Sequence, residues 1–131
     1  MATNPTDLLY TTDHEWVRVD GDGTVRVGIT AYAQRQLGDI VFVDVPSRAT
    51  ALEAGDAIGT LESVKAVTEI YMPVDGQVTT VNPALDGDPE LINQDPYGEG
   101  WIAQVKPANR AQLDALMSAA QYESRLAEPT G

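Results

Sequence analysis

The sequence predicts a mostly β protein, a β-sandwich or flattened barrel with a short helix near residues 31–37 and a C-terminal helix. About seven short apolar runs, separated at close intervals by glycine, proline or aspartate, are typical of such a fold. Helix signals occur in only two segments of the chain. The 131 residues fit one compact domain, 1–131.

The first predicted elements are a hairpin and a helix. The apolar run at 16–19 meets an Asp-Gly-Asp-Gly turn, and residues 25–29 then alternate in the period-two pattern of a half-buried strand. Thr30 is a good helix N-cap, and Gly38 supplies the left-handed stop that a helix end favours. We therefore expect a helix over 31–37.

Four further strands follow this helix. The run at 40–45 is almost continuous in β-branched and aromatic residues and is ended by Pro46, which predicts a buried strand. Glycine, proline and Asp-Gly punctuation separates the next three strands. Their predicted ranges are 57–62, 67–72 and 77–81.

The last third of the chain is more irregular. Prolines, glycines and Asp or Asn residues over 82–100 predict loops with at most short helical turns. Residues 101–105 predict one more strand, closed by Pro107. The final amphipathic helix, which we expect to pack on the body and to continue or restart through Tyr122 and Leu126, has the periodic residues Leu113, Leu116, Met117 and Ala120 and the N-cap Asn109.

Composition excludes several classes of function. The chain has 20 acidic and 8 basic residues, a formal net charge of -12, which disfavours nucleic acid and anionic membrane surfaces as partners. No apolar run is long enough to span a membrane, and no signal or transit peptide is visible, so we expect a bacterial cytoplasmic protein. With no cysteine and one histidine, we expect no disulfide, no thiolate nucleophile and no metal site.

Lys65 is the most informative residue of the sequence. The chain has only two lysines, Lys65 and Lys106, and Lys65 lies between two predicted strands. If these strands pair, its side chain lies at the tip of a tight hairpin. Between Glu53 and Glu99 there are ten acidic residues, and Lys65 is the only base.

These surroundings favour an acceptor lysine over a catalytic one. A Schiff-base or general-base lysine needs desolvation or neighbouring cations, and the sequence shows neither around Lys65. An exposed lysine on a stiff turn suits an enzyme that acylates the amine. A surface lysine that keeps the hairpin soluble is the simpler interpretation, and spacing alone does not decide between the two.

The residues around Lys65 resemble a known family. Glu62-Ser63-Val64-Lys65-Ala66 is similar to the lipoyl-attachment motif of the glycine cleavage system H-protein family. The resemblance extends over about residues 9–126, which we expect to be the core, with frayed termini. The other matching blocks are 14–17, 27–30, 33–43, 73–76, 81–82 and 93–101.

The resemblance implies a non-catalytic carrier with the barrel-sandwich hybrid fold, the flattened β-sandwich of lipoyl domains. Lipoate would be joined covalently to Lys65 by a lipoate-attaching enzyme, with Glu62, Ser63, Val64 and Ala66 forming the recognition hairpin. The arm would take an aminomethyl group from glycine decarboxylase (P protein) to aminomethyltransferase (T protein), and dihydrolipoyl dehydrogenase (L protein) would reoxidise it. The sulfurs would belong to the cofactor, in agreement with a chain that has no cysteine.

The resemblance also implies a cleft that holds the loaded arm. The candidate residues are Glu15 and Glu69, then Asp13, together with His14. The chain has Val67-Thr68-Glu69 where the family more often has a smaller residue followed by Ser-Asp, so the carboxylate lies one methylene further out. On its own, a lone histidine at this position is more typical of a structural hydrogen bond at a strand entrance.

Two alternatives to this carrier also use an acceptor lysine. A biotinyl domain normally has its target lysine between methionines, whereas Lys65 lies between Val64 and Ala66. An H-like protein that relays lipoyl or octanoyl groups to other lipoate-dependent proteins would use Lys65 itself, so the sequence does not separate it from the glycine cleavage carrier. In either case we expect a monomer, located in the mitochondrial matrix if the source is eukaryotic.

Overall fold

Two open antiparallel sheets form the framework of the protein. The computed structural model describes residues 5–45 and 51–127. The larger sheet has six strands in the order β1-β2-β3-β9-β8-β5, and the smaller sheet has three in the order β4-β6-β7. The strands are β1 (Leu9–Tyr10), β2 (Glu15–Val19), β3 (Val25–Ile29), β4 (Ile40–Asp44), β5 (Ala51–Leu52), β6 (Ala57–Ser63), β7 (Val67–Tyr71), β8 (Gly76–Val81) and β9 (Ala103–Pro107).

Helices are few and short. The α-helices are α1 (Ala31–Leu37), α2 (Leu91–Gln94) and α3 (Ala119–Ala127), and 3-10 turns occupy Pro83–Asp86 and Arg110–Ala115. The mostly β, flattened sandwich predicted from the sequence is therefore confirmed. The predicted strand stop at Pro46 and residues 1–4 and 128–131 of the predicted frayed termini lie outside the described residues, whereas Leu8, which precedes the expected core of 9–126, is buried.

Both sheets contribute to one main apolar core. Strands of the larger sheet supply Val17, Val27 and Val105, and strands of the smaller sheet supply Leu61 and Ile70. All five side chains are essentially inaccessible to solvent, and burial of this apolar surface is the main stabilising term of the fold. A second cluster, around Trp16, Tyr10 and Tyr122, packs α3 on the outside of the larger sheet.

Several predicted elements are confirmed. The hairpin β2–β3 pairs in register, with Trp16 opposite Gly28. Helix α1 has the predicted bounds, and the hydroxyl of Thr30 accepts a hydrogen bond from the backbone N–H of Ala33 at 3.3 Å. The predicted strands at 57–62, 67–72 and 77–81 correspond to β6, β7 and β8, and the predicted turns between 82 and 100 are present as the short helices there.

The prediction that the strand at 40–45 is buried was wrong. Ile40 is buried, but Val41 and Phe42 are about half exposed, with 55% of Phe42 accessible. Strand β4 lies at an edge of the three-stranded sheet, and the register shifts between Ile40 and Phe42. An apolar β-branched run reads alike in a buried strand and in an edge strand with one open face, so the pattern could not show this.

The amphipathic helix predicted over Leu113, Leu116, Met117 and Ala120 was wrong in its first half, whereas the expected restart through Tyr122 and Leu126 is confirmed as α3. Asn109 does cap a helical turn, because its side chain accepts a hydrogen bond from Ala111 N–H, but that turn is 3-10 and ends at Ala115. Met117 then exchanges two backbone hydrogen bonds of 2.8 Å with Tyr10. This bridge ties the backbone to β1 and interrupts the helical pattern, so α3 restarts only at Ala119.

The predicted strand at 101–105 begins two residues later than expected. The ladder pairing of β9 starts at Ala103, although Ile102 N–H still donates to the carbonyl of Val27 at 2.8 Å. Trp16 is fully buried and donates from Nε1 to the carbonyl of Pro96, whereas Trp101 is half-buried beneath the Arg26 guanidinium.

Replacing Gly28 by alanine should destabilise the protein. A β-carbon on Gly28 would lie 2.6 Å from the ring of Trp16, which is buried and held by its own hydrogen bond. Overpacking of this kind costs about 1–3 kcal/mol of unfolding free energy. Urea unfolding should show this loss for Gly28→Ala and a change within about 0.5 kcal/mol for Gly21→Ala, which meets no atom within 4 Å. Equal stability of the two variants would contradict the packing described.

Candidate functional site

Lys65 lies in the turn between β6 and β7. The two strands pair antiparallel up to Glu62 opposite Val67, and Ser63 N–H donates to the carbonyl of Ala66 at 2.8 Å across the turn. The side chain of Lys65 is exposed. The hairpin-tip position expected from the sequence is therefore what the structure shows.

The Ser63 hydroxyl organises this turn from inside. It accepts hydrogen bonds from the backbone N–H groups of Lys65 and Ala66, at 3.2 and 3.0 Å, and donates to the carbonyl of Ala66 at 3.1 Å. Ser63 is itself buried, so the turn is closed by its own side chain. The result is a stiff base for the lysine.

The tip of the hairpin is also anchored to the segment between α1 and β4. Val64 N–H donates to the carbonyl of Asp39 at 3.0 Å, and the amide of Asn93 donates to the carbonyl of Gly38 at 2.8 Å. Gly38 has φ +78° and ψ -155°, a conformation that side-chain-bearing residues rarely adopt. Helix α1, the segment after it and the hairpin tip thus form one connected unit.

The stem of Lys65 passes over Gly38. A β-carbon added to Gly38 would lie 3.6 Å from Cε of Lys65 and 3.5 Å from a methyl of Val64. The last carbons of the Lys65 side chain therefore lie beside the C-terminal end of α1. Leu37 and Gln36, which directly precede Gly38, line the neighbouring cleft.

The predicted recognition residues surround the lysine on the surface. Glu62, Val64 and Ala66 are exposed, with 66% of Val64 accessible, and Val67 is 62% accessible. Ser63 differs, because it faces inward and holds the turn. The tip therefore presents apolar side chains and a carboxylate around one amine.

A cleft of about 180 Å³ lies between α1 and β7. It brings together all four residues that the resemblance implied for holding the arm, Asp13, His14, Glu15 and Glu69. The carboxyl groups of Asp13 and Glu69 are on exposed residues, whereas Glu15 is buried. The remaining lining is mainly apolar or neutral and consists of Ile29, Tyr32, Ala33, Gln36, Leu37, Thr68 and Ile70.

Glu15 joins the two sheets at the floor of the cleft. It belongs to β2 of the larger sheet, and its Oε2 accepts a hydrogen bond of 2.6 Å from the backbone N–H of Tyr71 on β7 of the smaller sheet. Thr11 Oγ1 lies 3.4 Å from its other oxygen. Burial raises the pKa of Glu15 to about 8 and outweighs the hydrogen bond from Tyr71, which lowers it. Glu15 is therefore mostly protonated at neutral pH.

His14 stands at the entrance of β2 in a left-handed backbone conformation, with φ 63°. Its Nδ1 lies 2.8 Å from the hydroxyl of Tyr122 on α3, and its ring packs on Tyr32 of α1. Burial lowers the pKa of His14, and the nearby Arg125 lowers it further. The structural hydrogen bond expected for a lone histidine is thus present, and the same ring also lines the cleft.

Sequence reasoning missed part of the cleft wall. Tyr32, Ala33, Gln36 and Leu37 form one face of α1, as the spacing of an α-helix dictates. The helix itself was predicted, so its four-residue spacing could have identified this face. Nothing in the sequence indicated that the face lies opposite Thr68 on β7, because that depends on how the two sheets are stacked.

The character of the cleft follows from its acidic and apolar lining. The described residues contain no group of three or more side chains placed to hold a metal ion. In residues 5–45 and 51–127, no helix is both long and apolar enough to cross a membrane. The lining of the cleft itself offers carboxyl groups and apolar surface beside the hairpin tip that carries the lysine amine.

Comparison with known proteins identifies the family. The family model described as glycine cleavage H-protein matches residues 8–129, nearly the whole chain. The chain belongs to the glycine cleavage H-protein family.

Individual H proteins resemble it along almost their full lengths. The glycine cleavage system H protein of Bacteroides fragilis is 53% identical over 120 residues, which are 92% of this chain and 94% of that protein. The H protein of Halorhodospira halophila is 48% identical over 128 residues, 98% of each chain. A crystal structure of an H protein from Mycobacterium marinum, 39% identical, superposes with a TM-score of 0.84 over 95% of this chain and 100% of that one.

Replacing Glu15 by glutamine should change how the stability of this H-protein family member depends on pH. The folded-state pKa of about 8 lies above the ordinary value of 4.5, so folding favours the protonated form. The contribution of Glu15 to stability is complete below pH 4.5 and is lost as the pH rises through 8. The neutral amide of Glu15→Gln can accept from Tyr71 N–H and does not titrate.

Urea unfolding between pH 5 and 8 measures this effect. As the pH rises, we expect the free energy of unfolding of the parent protein to fall relative to that of Glu15→Gln, by up to about 1.4 kcal/mol for each pH unit. Parallel pH profiles for the two proteins would contradict a buried carboxyl that is costly to ionise.

Proposed function

We propose that this protein is the lipoyl carrier of the glycine cleavage system, with lipoate joined to Nζ of Lys65 by an amide bond. The observation that carries the proposal is the position of Lys65, exposed at the tip of a braced hairpin with its stem beside an acidic, partly apolar cleft. Family membership supports the same assignment.

The residues of the chain fit such a group. The hairpin tip leaves the amine of Lys65 accessible to a lipoate-attaching enzyme, with Glu62, Ser63, Val64 and Ala66 as the recognition segment. When bound, the lipoyl disulfide supplies the redox sulfurs that receive the aminomethyl group at glycine decarboxylase, deliver it at aminomethyltransferase and are reoxidised by dihydrolipoyl dehydrogenase. Apart from the amine of Lys65 that is acylated, the chain itself would contribute no reacting group and would act as a non-catalytic carrier.

The cleft between α1 and β7 would hold the loaded end of the arm. Acylation would remove the charge of Lys65, the only base between Glu53 and Glu99, and would leave the carboxylates of Asp13 and Glu69 in the cleft. A cationic amine at the end of the arm would be attracted to these carboxylates, and apolar Ile29 and Ile70 would exclude water around it.

Glu15 would act at the floor of this cleft. Its carboxyl group lines the cleft and also accepts the hydrogen bond from Tyr71 N–H. It would therefore contact an arriving cation without any movement of the two sheets. A nearby positive charge favours the ionised form of a buried carboxyl, and binding of the cation would then release the proton of Glu15. His14 would form the side wall of the same cleft.

The proposal also covers the setting of the protein. We propose a monomer in the bacterial cytoplasm that meets the P, T and L proteins in turn through its hairpin tip. Its charge of -12 favours basic docking surfaces on these enzymes over nucleic acid or anionic membranes.

Exchange of the two lysines for arginine tests this assignment. Lys65→Arg should abolish lipoyl attachment and glycine–bicarbonate exchange with glycine decarboxylase, because the guanidinium of arginine does not accept the acyl group. Lys106→Arg is the matched control, since Lys106 is the other lysine and is also exposed. Both variants should unfold within about 0.5 kcal/mol of the parent protein.

Intact mass after incubation with a lipoate-attaching enzyme gives the first result. A lipoyl increment on Lys65→Arg, or its loss from Lys106→Arg, would contradict attachment at Lys65. Normal attachment without glycine–bicarbonate exchange would instead indicate the lipoyl or octanoyl relay.

A further inference from the structure

A chain of three hydrogen-bonded side chains connects the C-terminal helix to the cleft. The Tyr122 hydroxyl lies 2.8 Å from Nδ1 of His14 and 2.8 Å from the hydroxyl of Thr30. Tyr122 and Thr30 are fully buried, and the ring of Tyr122 stacks on that of Tyr10 at 4.8 Å. His14, at the end of this chain, lines the cleft.

The hydrogen bonds of this chain have one consistent direction. Thr30 Oγ1 already accepts from Ala33 N–H as the cap of α1. Its oxygen also lies 2.8 Å from the Tyr122 oxygen, and a buried hydroxyl rarely leaves its proton unpaired. We assign Thr30 as the donor to Tyr122 and Tyr122 as the donor to Nδ1 of His14. In this arrangement the imidazole is neutral and carries its proton on Nε2.

The same chain opposes protonation of His14. A proton on Nδ1 would face the Tyr122 O–H, so Tyr122 would have to turn its proton toward Thr30. Thr30 would then lose its acceptor in a site closed to water, which is costly for a buried hydroxyl. The cap of α1 and the position of Tyr122 on α3 thus both favour an uncharged imidazole.

We propose that Tyr122 is a positioning residue of the arm cleft: by donating to Nδ1 it holds His14 in place and uncharged in the cleft wall. The inference rests on the proposed function and deepens it, because a charged imidazole there would repel the cationic end of a loaded arm. The backbone of His14 is itself left-handed, with φ 63°, which is uncommon for a side-chain-bearing residue.

Charged and titratable groups on several neighbouring elements face the imidazole of His14, and two of them shift its pKa. The carboxylate of Asp13 favours the imidazolium, and Arg125 on α3 opposes it. Burial also lowers the pKa of His14, in agreement with the direction set by the hydrogen bonds. The other titratable groups facing it are Tyr32 on α1, Tyr122 on α3, Glu15 on β2 and Glu69 across the cleft on β7.

Titration of His14 by NMR tests the inference without any cofactor. His14 is the only histidine, so its imidazole signals need no assignment by mutation. Tyr122→Phe keeps the stacked ring but removes the donor to Nδ1, and we expect the midpoint of titration to move upward, toward the ordinary value. Tyr10→Phe is the matched control. It removes the other hydroxyl of the same stacked pair, and that hydroxyl donates to the carbonyl of Pro5 rather than to His14.

A midpoint that is unchanged in Tyr122→Phe, or that moves equally in Tyr10→Phe, would overturn the inference. An upward shift confined to Tyr122→Phe, with urea stability close to that of Tyr10→Phe, would support it. The nitrogen-15 shifts of the parent imidazole should show the proton on Nε2, and a proton on Nδ1 would also overturn the inference.

The loaded protein separates this inference from the proposed function. Protein carrying the aminomethylated arm is incubated without aminomethyltransferase, and its decay is followed by mass between pH 5 and 8. We expect Tyr122→Phe to shorten the lifetime several-fold near pH 6 and to have little effect at pH 8, whereas Glu69→Gln shortens it at both. A pH-independent loss in Tyr122→Phe would overturn its role through His14.

Failure of Glu69→Gln alone would count against the arm-holding carboxylates of the proposed function. If Glu69→Gln shortens the lifetime and Tyr122→Phe does not, the proposed cleft stands and the role of Tyr122 is overturned. If Lys65 is never acylated in the parent protein, the carrier assignment itself fails, and the titration midpoint of His14 still decides whether Tyr122 holds it uncharged.

Discussion

The hydrogen bond between the Glu15 carboxyl and Tyr71 N–H is the constraint on which the arrangement of this molecule depends. It is a direct polar link between the larger sheet and the free edge of the smaller one, inside an otherwise apolar junction. Because β7 is held there, the hairpin formed by β6 and β7 presents Lys65 at a fixed place, and a cleft remains between β7 and α1. Ser63 closes the turn at the tip of the hairpin, and the bond from Val64 N–H to the carbonyl of Asp39 joins the tip to the segment after that helix.

The acidity of the chain, and Lys65 as the only base between Glu53 and Glu99, both fit a carrier. An exposed amine can be acylated only if an enzyme can reach it, which the braced tip allows. Once its charge is removed, the acidic surroundings match a cationic cargo and resist an anionic one. Burial raises the pKa of Glu15 and lowers that of His14, so both shifts favour the uncharged forms, and the exposed carboxylates of the cleft are those of Asp13 and Glu69.

Local signals in the sequence predicted local structure well. The caps of α1, the first hairpin and the turn at Lys65 depend on residues close in sequence, and each was found. The errors arose where distant segments meet: Met117 pairs with Tyr10, and β4 takes an edge position. The cleft shows the same division, since its acidic residues came from the family resemblance, whereas the α1 face and the Tyr122 contact depend on packing that no short motif encodes.

The most direct test of the central claim is the mass of the protein isolated from its native cell, followed by peptide mapping. The account predicts one lipoyl increment, carried by the peptide that contains Lys65 and absent from the peptide that contains Lys106. A persistently unmodified Lys65, in cells whose other lipoate-dependent proteins are fully modified, would contradict the account.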